Sequence, residues 1–397
     1  MYILEPWRTL WLALILVGCT MPAVSQNNQR QAAFSLEQQG RTAEAEDAWS
    51  TLSKTQPSNP EPYAHLGLLE AHQGHYAEAI AFYRKAMALN PTMPRLRFNL
   101  GLAYFKAADY KNALQQLKPL LKTLPPASDE AQRLIILIGM SHYGLGEFAA
   151  AAPYLKRAAD IDTQNLPLLL TLAHSCLLSS QYPCVLDAFH RIIALNPESA
   201  EAHMLAGEAL DEMKEPVDAL RELRAAVLAN PKEPNVHFGL GYLLWMQGQT
   251  QEAAQQFQAE LENDPEHTQA MLYLADAEIQ LNRMEEAEPL LEKALKVNPA
   301  NAMGHLDLGI VHTEAGRKED ALRELKMAIA LKPNDVNAHY RLGRLYRSMG
   351  KTAEAKAEFD KSKSLNKAAD EGLLKVMSKV PHQDSAPQSS SSAPADR

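Results

Sequence analysis

The feature that most constrains this chain is a period of about 34 residues that recurs along most of its length. Proline follows this period, apart from one longer interval between Pro125 and Pro197, at Pro57, Pro91, Pro125, Pro197, Pro231, Pro265, Pro299 and Pro333. Alanine follows it too, with Val185 in one slot, at Ala45, Ala79, Ala113, Ala151, Ala219, Ala253, Ala287, Ala321 and Ala355. Both series place one four-residue insertion near residues 125–130. Such a period indicates repeated units that bury their apolar faces against their neighbours.

Composition favours helix throughout these units. Ala, Leu, Glu, Lys and Gln dominate, and runs of β-branched residues are few. A chain of 397 residues would suit roughly two or three globular domains, but a repeat array grows by adding units. The formal net charge of -9 argues against a nucleic-acid partner, because neutralising phosphates requires a concentrated basic face.

Individual residues also keep fixed positions within the period. A Leu-Gly pair recurs at Leu66-Gly67, Leu100-Gly101, Leu240-Gly241, Leu308-Gly309 and Leu342-Gly343. An Asn-Pro pair closes several units, and proline ends a helix because it lacks an N–H and disfavours helix in its predecessor. The pattern resembles the tetratricopeptide repeat, a helix–turn–helix unit with the same period. The family's first-helix tryptophan is absent.

The resemblance covers about residues 26–369 and implies an all-α, right-handed superhelix of about ten helical hairpins. The hairpins are expected to begin near Gln26, Pro60, Pro94, Gln132, Leu166, Ala200, Pro234, Thr268, Ala302 and Val336. Residues 370–380 are predicted to form a terminal capping helix. Residues 381–397 are rich in Ser, Pro and Ala, and they are predicted to be a disordered tail.

Residues 1–25 are predicted to be an export signal. Residues 10–18 form an apolar segment that is short for a membrane span and typical of a secretory signal. Two cleavage sites fit: residues 16–19 resemble the lipobox of bacterial lipoproteins, with Cys19 acylated, and residues 23–25 suit ordinary cleavage after Ser25. An uncleaved anchor is the third alternative. All three place the repeats outside the cytoplasm, in the periplasm or cell envelope.

The sequence carries no motif typical of catalysis, such as a phosphate-binding loop, G-x-S-x-G or H-E-x-x-H. We therefore predict neither enzyme activity nor a cofactor. The thirteen histidines are scattered, with the densest group at His65, His72 and His75. We interpret them as solvated residues of turns and helix faces, and we predict no metal site.

Cys176 and Cys184 lie eight residues apart, across the two helices of one predicted hairpin. Outside the cytoplasm such a pair can form a disulfide. Two free thiols, with Cys176 in an inward slot, are the alternative. The spacing is not C-x-x-C, which argues against redox catalysis.

The resemblance also implies a binding surface, because positions 2, 5, 9 and 12 of each first helix line the inner surface in this family. We call these positions the first-helix face. Large apolar, aromatic and basic residues fill many of them and form the predicted partner-binding groove: Arg95, Phe98, Leu102, Phe105, Arg133, Ile136, Met140, Tyr143, His174, Phe238, Tyr242 and Trp245. Exposed clusters of this kind typically bind a partner. The alternative is that the superhelix packs part of this face against itself.

Three arginines on the last predicted first helix extend this surface, namely Arg341, Arg344 and Arg347. They recur every three residues and can hold a carboxylate. This arrangement resembles the carboxylate clamps of some family members, but their Lys and Asn residues are missing. A solvated basic face is the alternative.

The function implied by the resemblance is a non-catalytic scaffold that binds other proteins or peptides. We expect membrane attachment only through an acylated Cys19. The alternatives are a self-associating structural protein, an enzyme with an unrecognised site, and a glycan-binding protein that uses Tyr242 and Trp245 as stacking platforms.

Overall fold

The computed structural model describes residues 21–377, and it describes side chains over residues 27–368. This part of the chain is all-α. Its helices are α1 (Met21–Gln38), α2 (Thr42–Thr55), α3 (Pro60–His72), α4 (Tyr76–Leu89), α5 (Leu96–Lys106), α6 (Tyr110–Leu121), α7 (Asp129–Gly144), α8 (Phe148–Ile161), α9 (Leu166–Leu178), α10 (Tyr182–Leu195), α11 (Ala200–Glu212), α12 (Pro216–Ala229), α13 (Val236–Met246), α14 (Thr250–Asn263), α15 (Thr268–Gln280), α16 (Met284–Val297), α17 (Ala302–Glu314), α18 (Lys318–Leu331), α19 (Val336–Ser348) and α20 (Thr352–Met377).

The chain divides into two compact units, residues 1–213 and 214–397, which we call unit 1 and unit 2. In unit 1, helices α1 to α10 form five successive hairpins, and α11 packs against α9 and α10. In unit 2, α12 packs against α13, and helices α13 to α20 form four hairpins. Within each unit a hairpin also packs against the next one, as expected for a repeat array.

Most hairpins begin where the period predicts. The predicted starts at residues 60, 166, 200, 268, 302 and 336 coincide with the first residues of helices. Helix α7 begins three residues before the predicted Gln132, because the side chain of Ser128 accepts a hydrogen bond from the Ala131 N–H and caps the helix. Helices α5 and α13 begin two residues late, because Arg95 and Asn235 adopt the left-handed backbone conformation.

Close packing between the two helices of a hairpin explains the Leu-Gly pairs. A Cβ atom on Gly101 would lie only 2.5 Å from Leu117 Cδ2, so α5 and α6 can approach this closely only with glycine. Gly241 meets Phe257 in the same way, at 2.8 Å. Ala113 and the other recurring alanines lie in the core with almost no exposure. The small residues of the period therefore set the distance between paired helices.

The ends of the chain differ from a simple repeat. Helix α20 runs from Thr352 to Met377 without a break, so the predicted separate capping helix is, as far as Met377, the continuation of the last hairpin. The apolar segment of the predicted export signal, Cys19, residues 378–380 and the predicted tail lie outside the described residues. Among the described helices, none combines the length and apolar character needed to cross a membrane.

Candidate protein-binding face

The residues predicted for the first-helix face lie on one half-exposed side of their helices. All fifteen are half-buried or exposed, whereas most of the leucines and glycines between them are buried. On α5, for example, Phe98 and Leu102 are half-buried, while Leu100 and Gly101 are buried. This alternation follows from helical geometry, because residues three or four apart share a face.

In unit 1 the first-helix face is largely apolar on α5 and α7. Phe105 contacts Tyr110 edge-on, with ring centroids 5.7 Å apart, and Tyr143 contacts Phe148 at 5.4 Å. Phe98 packs at the edge of the core beneath α5 and α7. Ile136, Met140 and Tyr143 of α7 pack in the same manner against the neighbouring core, while remaining half-exposed.

Arginine and histidine residues at the margins of this face form polar contacts. Arg95 was predicted to lie inside α5, but it precedes the helix. It is exposed, and its guanidinium lies 4.0 Å from the Glu130 carboxylate. Arg133 is exposed on α7. His174 of α9 lies 2.7 Å from Glu201 of α11, measured between Nε2 and Oε1. This contact joins two successive first helices within unit 1.

In unit 2 the same positions carry a cluster of aromatic rings, which we call the aromatic cluster: Phe238, Tyr242 and Trp245 of α13 and Tyr273 of α15. Tyr273 lies 5.3 Å from Tyr242 and 5.1 Å from Trp245, both in edge-on geometry. Such edge-on contacts are favourable beyond the area they bury. All four rings are half-buried. Tyr273 was not predicted, because it occupies a neighbouring helical position, outside those of the first-helix face.

A carboxylate borders the aromatic cluster. The Trp245 indole N–H donates to Asp276 Oδ2 at 2.6 Å, and the Gln280 amide donates to the same oxygen at 2.6 Å. These two donors fix the position of the Asp276 side chain. Burial, followed by the electrostatic effects of the neighbouring Tyr242 and Asp276, raises the pKa of Tyr273, which keeps its phenol neutral.

A buried glutamate positions the start of α13 beneath this cluster. Glu260 of α14 is 1% exposed, and its carboxylate accepts backbone N–H groups from Asn235 (3.0 Å), His237 (3.1 Å) and Phe238 (3.0 Å). The first N–H groups of a helix have no partner within the helix, and a carboxylate there also complements the helix dipole. Glu260 occupies the slot that is alanine at Ala226 and in other hairpins, which is the sequence signal that could have identified it.

A second buried carboxylate lies on the next first helix. Asp307 of α17 is 3% exposed, and its Oδ2 has no hydrogen-bond partner among the described residues. Burial raises its pKa well above the usual range, and the negative charges of Asp276 and Asp335 act in the same direction. The positive charge of Arg341 opposes them.

The three predicted arginines of α19 have separate surroundings. Arg341 is half-buried, and its Nε lies 3.4 Å from Asn337 Oδ1. The Arg347 guanidinium lies over the Phe359 ring, 5.5 Å from its centroid, and Arg344 is exposed. The carboxylate clamp therefore stays a prediction.

The interpretation of the histidines as solvated residues is wrong for several of them. His142, His312 and His339 are buried, and His65 stacks on Trp49 with centroids 4.3 Å apart. One contact recurs, because a first-helix histidine bonds a side chain on the second helix of its hairpin at His237–Gln256, His305–Glu324 and His339–Glu358. Of the three buried histidines, His339 makes this contact, whereas His142 bonds Glu147. Within the part of the chain that the structure describes, no three His, Cys, Asp or Glu side chains are grouped to hold a metal ion.

The structure joins Cys176 and Cys184 in a disulfide, with their Cα atoms 5.8 Å apart. It connects α9 to the start of α10 in unit 1. Cys176 is fully buried, and Cys184 is half-buried. Of the two alternatives left open by the sequence, this structure contains the bridged one.

Comparison with protein families decides the membership of the chain. Models described as tetratricopeptide repeat match residues 31–94, 70–135, 132–165, 185–239, 215–267, 247–302, 272–336 and 324–357. Together they cover residues 31–165 and 185–357, well over half of the chain. The chain belongs to the tetratricopeptide repeat family. Its repeats are those of a family whose members bind other proteins or peptides.

The curated proteins similar to this tetratricopeptide repeat chain are larger assembly subunits. BBSome complex member BBS4 of Bos taurus is 26% identical over 42% of this chain and 38% of its own length. Anaphase-promoting complex subunit 6 of Arabidopsis thaliana is 23% identical over 48% of this chain and 35% of its own length. The matched part of the chain thus spans little more than a third of these relatives.

Solved structures are similar at the level of helical repeats. MamA from Desulfovibrio magneticus RS-1 is 22% identical, with a TM-score of 0.39, and the match covers 43% of this chain and 97% of that one. YrrB, described as a tetratricopeptide repeat protein with an unusual peptide-binding site, is 20% identical over 48% of this chain and 97% of its own, at a TM-score of 0.40. The Cut9–Hcn1 hetero-tetramer matches 90% of this chain and 91% of that one, at 14% identity and a TM-score of 0.41.

Proposed function

We propose that this protein is an exported scaffold of the cell envelope that binds segments of partner proteins on its first-helix face. The observation that carries the proposal is the presence of half-exposed apolar and aromatic side chains on α5 and α7 of unit 1 and, separately, on α13 of unit 2. The hairpin cores are already filled by the buried residues between them, so these side chains keep exposed apolar surface that a partner can cover. Aromatic and methionine side chains supply most of the energy at such interfaces.

The disulfide supports an exported location. Disulfides persist in oxidising compartments outside the cytoplasm and are rare within it. Together with the apolar segment at residues 10–18, the Cys176–Cys184 bridge favours the periplasm or cell envelope. The intact mass of the mature protein distinguishes the modes of processing. A chain that begins at an acylated Cys19 is lipid-anchored, a chain that begins at Gln26 is not, and the full mass indicates an uncleaved anchor.

Binding through the face of unit 1 is tested by charge insertion. We compare crosslinked partners recovered from envelope fractions by the wild type and by Phe98→Glu/Tyr143→Glu. The matched control is Val217→Glu/Leu228→Glu, which places the same two charges on apolar side chains of α12 that are 80% and 86% exposed and lie off the first-helix face. We expect Phe98→Glu/Tyr143→Glu to lose partners that the control retains. Equal recovery by all three proteins would show that this face does not bind them.

Self-association is the alternative that the same face permits. Light scattering of the wild type and of Phe98→Glu/Tyr143→Glu at tens of micromolar separates the two hypotheses. A monomeric mass for both proteins favours the scaffold. A higher mass that falls in the double variant makes the face an interface between copies of this chain.

A further inference from the structure

The aromatic cluster of unit 2 has chemistry that the apolar face of unit 1 lacks. Among the described residues, no Lys or Arg cation lies over its rings, and its border is the carboxylate of Asp276. Among the described residues, Asp276 has no Lys, Arg or His within 4.0 Å, although its Oδ2 accepts two hydrogen bonds. The cluster therefore combines aromatic ring faces with a negative charge that no internal cation balances.

Cations elsewhere in the molecule use other rings. The cation–π pairs of the described residues are Lys85 with Tyr63, Arg347 with Phe359 and Lys351 with Tyr346. None of them involves the rings of the aromatic cluster. His267 contacts Phe238 at 5.0 Å, its Nδ1 accepts the Ala270 N–H, and its Nε2 lies 2.8 Å from Asn235 Oδ1. Both ring nitrogens of His267 therefore already have partners outside the cluster.

Asp307 is a second carboxyl group in unit 2 that has no ion-pair partner within 4.0 Å among the described residues. It is 3% exposed, its Oδ2 lacks a hydrogen-bond partner among the described residues, and Asp276 lies close enough to act on its charge. Buried carboxylates in folded proteins are normally paired or hydrogen-bonded, because an unpaired one is costly. Arg341 acts in the opposite direction but forms no ion pair with Asp307 within 4.0 Å. Among the described residues, neither Asp276 nor Asp307 therefore has an ion-pair partner within 4.0 Å.

We infer that the aromatic cluster binds a lysine or arginine side chain of a partner segment, with Tyr242, Trp245 and Tyr273 contacting the cation and Asp276 pairing with it. This inference rests on the proposed function, since it names the partner chemistry of one part of the same face. Aromatic rings attract cations through their quadrupole, most strongly for tryptophan, and a nearby carboxylate adds a charge-assisted hydrogen bond. Because Gln280 and Trp245 already hold Asp276, little side-chain freedom is lost on binding.

The two tryptophans of the described chain provide a reporter and an internal reference. Trp245 donates its indole N–H to Asp276, and Trp49 of unit 1 donates its own to Glu37 at 3.0 Å while fully buried. Their indole NMR signals are assigned in the full chain with Trp245→Phe and Trp49→Phe. The probes are the N-acetyl methylamides of lysine, arginine, norleucine and glutamate. Norleucine keeps the aliphatic stem of lysine without its charge.

We expect the lysine and arginine probes to shift the Trp245 signal saturably and to leave the Trp49 signal in place. Norleucine and glutamate should shift neither. Asp276→Asn, which keeps the shape of the side chain, should weaken lysine binding by at least about tenfold. Glu314→Gln removes one exposed charge from α17 of the same unit and should leave the affinity unchanged. Tyr273→Leu provides a second variant that removes a ring and keeps the carboxylate, and it should weaken lysine binding as well.

Three results would overturn the inference. An equal shift of the Trp245 signal by norleucine would show that the site recognises apolar surface and not charge. Equal weakening of lysine binding by Glu314→Gln and Asp276→Asn would show that overall charge causes the effect. Absence of any saturable shift by lysine or arginine would mean that the cluster binds no cation. The proposed function is judged separately, because partner recovery by Phe98→Glu/Tyr143→Glu depends on the face of unit 1. That variant can lose its partners whether or not lysine moves the Trp245 signal.

Discussion

Helices α5 and α13 begin alike, yet they are held in different ways. Each follows a proline and a residue in the left-handed conformation, Arg95 before α5 and Asn235 before α13. Neither has a side-chain cap from that residue. At α13 the buried Glu260 supplies the missing acceptor, whereas the matching slot in α6 is the half-buried Leu120. The same repeat position therefore serves packing in unit 1 and electrostatic capping in unit 2.

The first-helix face of α5 and α7 also differs from that of α13 and α15, where a carboxylate borders the aromatic rings. In unit 1, α5 and α7 present phenylalanine, leucine, isoleucine and methionine with little charge among them. In unit 2, α13 and α15 present aromatic rings beside Asp276, with Asp307 buried on the next first helix. Equivalent slots can thus share a fold while differing in the partners they suit. Unit 2 accepts buried carboxylates, and unit 1 instead contains the disulfide.

The largest effect expected is that of Glu260→Ala. It leaves three backbone N–H groups of α13 without their acceptor, so we expect the free energy of unfolding to fall by about 3 kcal/mol. Leu120→Ala is the matched control in unit 1, with a loss of about 1–2 kcal/mol from apolar burial. Chemical denaturation measures both, and hydrogen exchange at His237 and Phe238 should accelerate only in Glu260→Ala. Unchanged exchange there would show that the capping role of Glu260 is unimportant.

Removal of the disulfide should have the next largest effect on stability. Closing a loop this short restricts the unfolded chain by an amount worth about 2.5 kcal/mol. Cys176→Ala/Cys184→Ala should therefore unfold more readily than the oxidised wild type, and added reductant should destabilise only the wild type. Thermal unfolding with hydrogen exchange across both units measures this difference. A loss of protection in unit 2 equal to that in unit 1 would contradict a role confined to unit 1.

Asp307→Asn should stabilise the protein, by about 1–2 kcal/mol, at neutral and higher pH. Burial raises the pKa of Asp307, so its ionised form disfavours the folded state. The wild type should lose stability as pH rises from about 4, the ordinary value for Asp, through the raised pKa. At pH 4 or below the two proteins should be equally stable. Denaturation at a series of pH values measures the difference, and a constant difference would refute the burial of an ionisable Asp307.

The smallest effect expected is that of Glu288→Gln in unit 2. The hydrogen bond from Arg317 lowers the pKa of Glu288, so this contact stabilises the fold above the ordinary glutamate pKa and is lost as pH falls through the lowered value. The pair is partly exposed and screened by solvent, so we expect a loss below about 1 kcal/mol at pH 7. The difference from wild type should vanish in acid, which is the opposite pH dependence to that of Asp307→Asn. Raising the ionic strength should shrink it as well.

Much of the fold and part of the candidate site could be predicted. The period located the hairpins because alanine, glycine and proline each have one mechanical role at a fixed place in the unit. It also identified Phe98, Tyr143 and Trp245 as face residues, because helical spacing fixes which side chains share a side. It missed Tyr273, which reaches the cluster from a neighbouring helical position. Several buried histidines were described as solvated because spacing within one helix does not reveal their partners, as with Glu358 on the second helix for His339.

The sequence by itself determined the helical hairpins, most of their starting residues and the half-exposed positions of the first-helix face. These features depend on local residue spacing, and the same spacing recurs in successive hairpins. Only the tertiary structure decided that Glu260 caps α13, that Asp276 holds the Trp245 indole and that Asp307 is buried without a hydrogen bond to its Oδ2 from the described residues. Each of these depends on side chains brought together from separate helices, and a contact of that kind is formed by packing and not by periodicity.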